Sequence, residues 1–194
     1  MIFIDQPLRI LALALLIGRF IYWTYEEYRS YKEKPASQSF SIMILLKRFV
    51  VILCHLLLCL QLIGLTLLPY QNSLSNKLLG IVFIIMATII SYVARRELGN
   101  NWAPAAAYQI KKDQQLVTSG IYSYIRHPIY LGVVLTFLGV ELIVGSYLVL
   151  LFMIIVPWVA YIQSKKEEKI LIEHFGQQYK EYQKKTFLFL PYLL

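Results

Sequence analysis

The chain has 194 residues, 58% of them hydrophobic and 15% charged, with a net charge of +8. Soluble domains carry about 25% charged residues, and apolar residues gathered in long blocks exceed what so small a core can hide from water. A water-soluble globular protein is thereby excluded: the solvent for most of this chain is lipid.

A membrane span takes about 20 mostly apolar residues. In chain order, the first block covers residues 8–25 and is interrupted by Arg19. The second lies within 42–68 and is uncharged after Arg48, and the third covers 78–94. The fourth and fifth, 129–144 and 147–163, are separated by Gly145-Ser146, which predicts a tight helical hairpin. The first block is too poor in cleavage signals for a signal peptide. The expected fold class is therefore all-α: a polytopic integral membrane protein with five transmembrane helices, the last two forming a hairpin. Residues 1–94 make an N-terminal three-span part, and 95–194 a second part richer in polar residues.

Charge placement predicts the orientation. Arg29, Lys32, Lys34, Lys47 and Arg48 follow the first span. Arg95, Arg96, Lys111, Lys112 and Arg126 follow the third, and Lys165, Lys166, Lys169, Lys180, Lys184 and Lys185 follow the fifth. These segments hold 16 of the 19 basic residues. The positive-inside rule then places the N-terminus outside and the C-terminus in the cytoplasm, which requires an odd number of spans. The positive charge reads as a topology signal, and no soluble domain remains to bind nucleic acid. Cys54 and Cys59 sit inside the second span on different helix faces; with His55 they form no metal-ligand pattern.

Between spans three and four lies a loop of about thirty residues, 95–127, and loops that long are uncommon and often functional. It holds Leu98-Gly99-Asn100-Asn101-Trp102, then Leu116-Val117-Thr118-Ser119-Gly120-Ile121-Tyr122, and ends in Arg126-His127-Pro128 before Tyr130 and Gly132. Proline suits the first turn of a helix, so Pro128 opens span four. Arg126 and His127 then stand at a helix N-terminus, where free N–H groups and the dipole favour an anion. Gly120 and Gly132 permit close approach of a ligand to the backbone. After span five, Lys165-Lys166-Glu167-Glu168 precede Leu171, Phe175, Tyr179 and Tyr182, whose helical spacing marks a cytosolic C-terminal amphipathic helix. Glu168 projects from the apolar side of that helix and needs a partner.

The ordered set from Leu98 to Tyr182 resembles the isoprenylcysteine carboxyl methyltransferase and phospholipid methyltransferase family of integral membrane enzymes, including its small prokaryotic members. The resemblance covers about half of the chain. It implies a methyltransferase that uses S-adenosylmethionine, with S-adenosylhomocysteine as product. The cofactor would be bound on the cytosolic side by Leu116, Val117, Gly120, Tyr122, His127, Tyr130, Glu167 and Glu168. Arg126 and Glu168 are the expected catalytic residues, and no metal is implied. The acceptor is a lipophile entering from the bilayer. One departure stands out: the eukaryotic isoprenylcysteine enzymes carry an arginine shortly before the Glu pair, where this chain reads Tyr161-Ile162-Gln163-Ser164, leaving Lys165 or Lys166 to substitute. Lysine lacks the bidentate fork that suits a carboxylate.

Methyl transfer from a sulfonium is an in-line displacement, in which the site chiefly aligns donor and acceptor and excludes water. A carboxylate acceptor is already ionised, whereas an amine must first lose a proton, with Glu168 or a water as base. Phospholipid or other small-lipophile methylation at nitrogen or sulfur is the alternative. A membrane reductase using NADPH is a further one, opposed by Val133 after Tyr130-Leu131-Gly132, where sterol reductases tend to carry an acid. A transporter or scaffold would show repeats or paired broken helices, and none is visible. Arg19 and Glu141, ionisable groups within spans, are expected to be structural; Glu141, 13 residues past Pro128, lies about 20 Å from the proposed site at about 1.5 Å per residue.

Overall fold

The computed structural model describes residues 2–32, 42–102 and 114–189; Lys34, Lys111 and Lys112 of the charge pattern lie outside them. Among the described residues six α-helices follow one another: α1 (Ile2–Lys32), α2 (Ile42–Leu62), α3 (Leu74–Leu98), α4 (Pro128–Val144), α5 (Leu148–Phe175) and α6 (Gln177–Lys185). Four of them, α1, α2, α3 and α5, are long and apolar enough to cross a membrane. Their outer faces are open: Leu53 is 52% exposed, Ile154 72% and Trp158 61%. Such surfaces are stable only against lipid, so the chain is a multi-pass integral membrane protein.

Helix α4 is the exception. With 17 residues it spans about 26 Å at 1.5 Å per residue, short of a hydrocarbon core of about 30 Å. It is also the most enclosed, packed on α3 and α5 with Leu131, Gly132, Thr136, Gly139 and Val140 buried. Its seam with α3 is built on small residues. A Cβ on Gly139 would strike the Gly80 carbonyl, one on Gly80 would strike the Gly139 carbonyl, and one on Gly132 would strike the Ser91 hydroxyl. In a membrane, where apolar burial drives no helix association, such close backbone approach is what holds helices together.

At one end of the bundle the loops interlock. Gly145, in the left-handed conformation at φ +71, ends α4, and any side chain there would meet Asn72. The expected hairpin between α4 and α5 is therefore present. The segment between α2 and α3 joins it through Tyr147 N–H to Leu68 O at 2.9 Å and Tyr70 N–H to Gly145 O at 2.8 Å. The opposite end gathers the charges, with Arg48 on Glu27 at 3.0 Å and Arg95 on Glu26; we call it the basic end.

The C-terminal region departs from expectation. Helix α5 does not stop at residue 163 but runs on to Phe175, because Lys165-Lys166-Glu167-Glu168 are good helix formers and nothing interrupts them. The break comes at Gly176, whose φ of +56 favours glycine. Leu171 and Phe175 therefore belong to α5, while Tyr179 and Tyr182 are the buried residues of α6.

Candidate active site

Pro128 opens α4, with His127 as the residue before the first turn. What aligns this helix start is the chain after α6. Phe187 N–H donates to Tyr124 O at 2.9 Å, Arg126 N–H to Phe187 O at 2.9 Å, and His127 N–H to Leu188 O at 3.1 Å. This short parallel strap pins residues 124–127 beside 186–188. Tyr182 of α6 adds a buried bond from its hydroxyl to Tyr122 O at 2.6 Å.

Arg126 turns inwards. Its Nε donates to Glu168 Oε1 at 2.6 Å, and its Nη1 to the carbonyls of Thr186 and of Gln183, the latter at 3.3 Å. The two charged side chains are only 9% and 3% exposed. Lys165 completes the partners of Glu168 at 3.1 Å, from the rim. Glu167, one residue earlier, is more open at 25% and accepts from the Tyr130 hydroxyl. Lys47 of α2 lies within its electrostatic reach. Between the two acids stands the buried His127 ring, with Nδ1 3.7 Å from Glu167 and Nε2 3.7 Å from Glu168. Both distances exceed hydrogen-bond range, and Nε2 makes no hydrogen bond among the described residues. A buried polar atom left open is unusual.

The structure thus brings together Arg126 and His127 before α4, Tyr130 of α4, and Glu167 and Glu168 of α5, with the pairs 37 to 42 residues apart. Leu116 and Val117 are half-buried on the segment before Ser119. Gly120 is exposed, with the Glu97 carboxyl beside its missing side chain, while Gly132 is buried against Ser91 and not open to a ligand in the way expected. The missing side chain of Gly132 serves the packing of α4 on α3. Tyr122 is buried, and burial pushes its phenol, like those of Tyr179 and Tyr182, above its usual range. These hydroxyls stay neutral. Thr186 and the strap carried no motif in the sequence; their only signal is the short apolar run Phe187-Leu188-Phe189 after α6. The expected structural role of Glu141 finds its geometry in Gln61, whose Nε2 donates to it at 2.7 Å at the far end.

Residues 75–178 match the phospholipid methyltransferase family. The chain is 31% identical over 118 residues to the protein-S-isoprenylcysteine O-methyltransferase of Schizosaccharomyces pombe, covering 60% of this chain and 48% of that one. It is also 31% identical over 128 residues to the enzyme of the same name from Saccharomyces cerevisiae, covering 64% and 54%. It spans about half the length of these relatives. Among solved structures, a eukaryotic intramembrane Ras methyltransferase, an isoprenylcysteine carboxyl methyltransferase, shares the fold. The TM-score is 0.61 at 18% identity, over 96% of this chain and 68% of the other.

Proposed function

The chain belongs to the phospholipid methyltransferase family, and from that premise we propose that it is a membrane methyltransferase of the isoprenylcysteine carboxyl methyltransferase type. It takes the methyl group from S-adenosylmethionine and passes it to a lipophilic acceptor that enters from the bilayer. The observation that carries this reading is the convergence of His127, Tyr130, Glu167 and the buried Arg126–Glu168 pair at the start of α4. Residues 95–194 are its catalytic part. The positive-inside rule orients the basic end to the cytoplasm, with five spans and the N-terminus outside.

The residues present fit the donor. His127 Nε2, without a hydrogen bond among the described residues, and Glu167 offer a buried polar atom and a carboxylate to its ammonium, hydroxyl and carboxylate groups. When bound, S-adenosylmethionine supplies a methyl group on an electron-poor sulfonium. Glu167, held by Tyr130, and His127 bind it, with Leu116, Val117, Gly120 and Tyr122 on the adjoining segment. Arg126 and Glu168 act as a positioning pair, since their charges are committed to each other and to the Thr186 carbonyl. The enclosed site excludes water and aligns the reactants, which is most of what an in-line methyl displacement requires.

One observation favours a nitrogen or sulfur acceptor as a second reading. The guanidinium of Arg126 has Nε and Nη1 engaged by the protein, so Nη2 alone cannot offer a bidentate fork to an acceptor carboxylate. An amine acceptor would shed its proton to Glu167 or to water. Calorimetric titration of the detergent-purified protein with S-adenosylhomocysteine, beside NADPH, tests the reading. Saturable binding of the first alone is expected, and binding of NADPH alone sinks it. Incubation with labelled S-adenosylmethionine and either a prenylated cysteine or a phosphatidylethanolamine then separates the acceptors.

A further inference from the structure

At the end of the bundle away from the candidate site, Glu141 of α4 and Gln61 of α2 are both fully buried. Gln61 Nε2 donates to Glu141 Oε1 at 2.7 Å. The remaining oxygen of each group, Gln61 Oε1 and Glu141 Oε2, makes no hydrogen bond among the described residues. Two groups already joined by one bond thus leave one acceptor apiece inside the protein, where open polar atoms are rare.

The donors around them are engaged elsewhere. The Ser146 hydroxyl donates to Leu67 O at 2.7 Å, and Asn72 Nδ2 donates to Leu142 O at 2.7 Å. The Gly145 and Ser146 N–H groups both donate to the backbone carbonyl of Glu141. Arg9 of α1 directs Nη1 to Gln61 O at 3.4 Å and Nη2 to Val144 O at 3.5 Å. The other titratable groups on the surrounding elements are Cys59 of α2, Tyr70 before α3, Lys77 of α3 and Tyr147 before α5. Neither Arg9 nor any of these forms an ion pair with Glu141 among the described residues. An ionised carboxylate with one donor, no cation and no contact with solvent is among the costliest groups to bury. A proton on Glu141 removes that charge and serves both open oxygens at once.

We propose that Glu141 is a neutral carboxylic acid in the folded protein, its Oε2–H donating to Gln61 Oε1 and closing a two-bond acid–amide ring. The ring fastens α2, which precedes the family-matched residues 75–178, to α4 within them. It is a pH-dependent lock, because an ionised Glu141 would set two bare oxygens against each other. The unfolded chain exposes Glu141 and ionises it at neutral pH, whereas the native chain keeps the proton. Native stability therefore falls as pH rises above the ordinary glutamate range, by about ten-fold in the unfolding constant per pH unit. The fall ends where the native acid ionises as well.

Glu141→Gln tests this, because its amide can keep both bonds of the ring and cannot titrate. Infrared difference spectra, parent minus Glu141→Gln, are recorded at neutral pH in maltoside micelles, whose detergent has no carbonyl group. A protonated-carboxyl carbonyl band is expected. A carboxylate band overturns the proposal and would mean that water or a cation serves the open oxygens instead. Equilibrium unfolding in the same micelles gives an independent reading. From mildly acidic to mildly alkaline pH the parent should lose stability against Glu141→Gln by about ten-fold per pH unit. A difference that stays constant with pH overturns the lock. A Glu141→Gln protein that does not fold overturns it too, since the amide has the shape of the acid. S-adenosylhomocysteine affinity should be the same in both proteins, so these outcomes are read separately from those that test methyl transfer.

Discussion

At its far end, α4 holds Glu141, fully buried, with one oxygen accepting from Gln61 at 2.7 Å and its backbone carbonyl capped by Gly145 and Ser146. At its basic end, the residues just before Pro128 meet Glu167 and Glu168 across a histidine whose Nε2 makes no hydrogen bond among the described residues. Both ends bury carboxylates, yet only the second combines an ion pair, a phenol and an imidazole. The far end ties helix ends together, with Arg9 donating to the carbonyls of Gln61 and Val144 and the second Glu141 oxygen left without a hydrogen bond among the described residues. The basic end gathers several ionisable groups between two helices, a guanidinium, an imidazole and two carboxylates. A buried acid in a membrane protein is thus functional or structural according to its partners, not its burial alone.

The comparison breaks most visibly at the ion pair. Arg126→Ala leaves Glu168 buried without its main partner, a change that costs about 3–5 kcal/mol when one member of such a pair is removed. A large loss of Tm in detergent is expected, and a variant as stable as the parent would show that the pair is dispensable. Glu141→Ala should cost less, about 1–3 kcal/mol for the stranded Gln61 donor, and should leave S-adenosylhomocysteine affinity unchanged. Weakened affinity in that variant would erase the distinction between the two ends. His127→Ala sharpens it: affinity should fall at least ten-fold, about 1.4 kcal/mol, while Tm stays put. If neither His127→Ala nor Glu167→Gln alters affinity in calorimetry, the donor site lies elsewhere. The smallest effect belongs to Tyr182→Phe, which removes the bond to Tyr122 O and should lower stability by about 1 kcal/mol. Thermal melts of this variant report whether α6 merely rests on the site or holds it.

Much of the site was legible from residue types. The run Arg126-His127-Pro128 marked the helix start, and Glu167-Glu168 marked the acids that meet it. Their roles were not. Arg126 looked free to orient a substrate, and in the fold it is engaged by Glu168 and the carbonyls of Gln183 and Thr186. Gly132 looked like a ligand cradle, and in the fold Ser91 of α3 fills it. The end of α5 was misplaced because hydropathy falls at residue 163 while helix propensity does not fall until Gly176.

What the sequence by itself determined is the solvent, the helices and the polarity of their ends. Those depend on residue composition within windows of about 20 residues, and each helix satisfies its own backbone in lipid. Which charges meet was decided only by the tertiary structure. Arg126 reaches Glu168 across 42 residues, and the Thr186–Leu188 strap sets the angle of approach. Side-chain pairing in a low-dielectric interior is fixed by ångström-scale packing, and no local pattern along the chain encodes that distance.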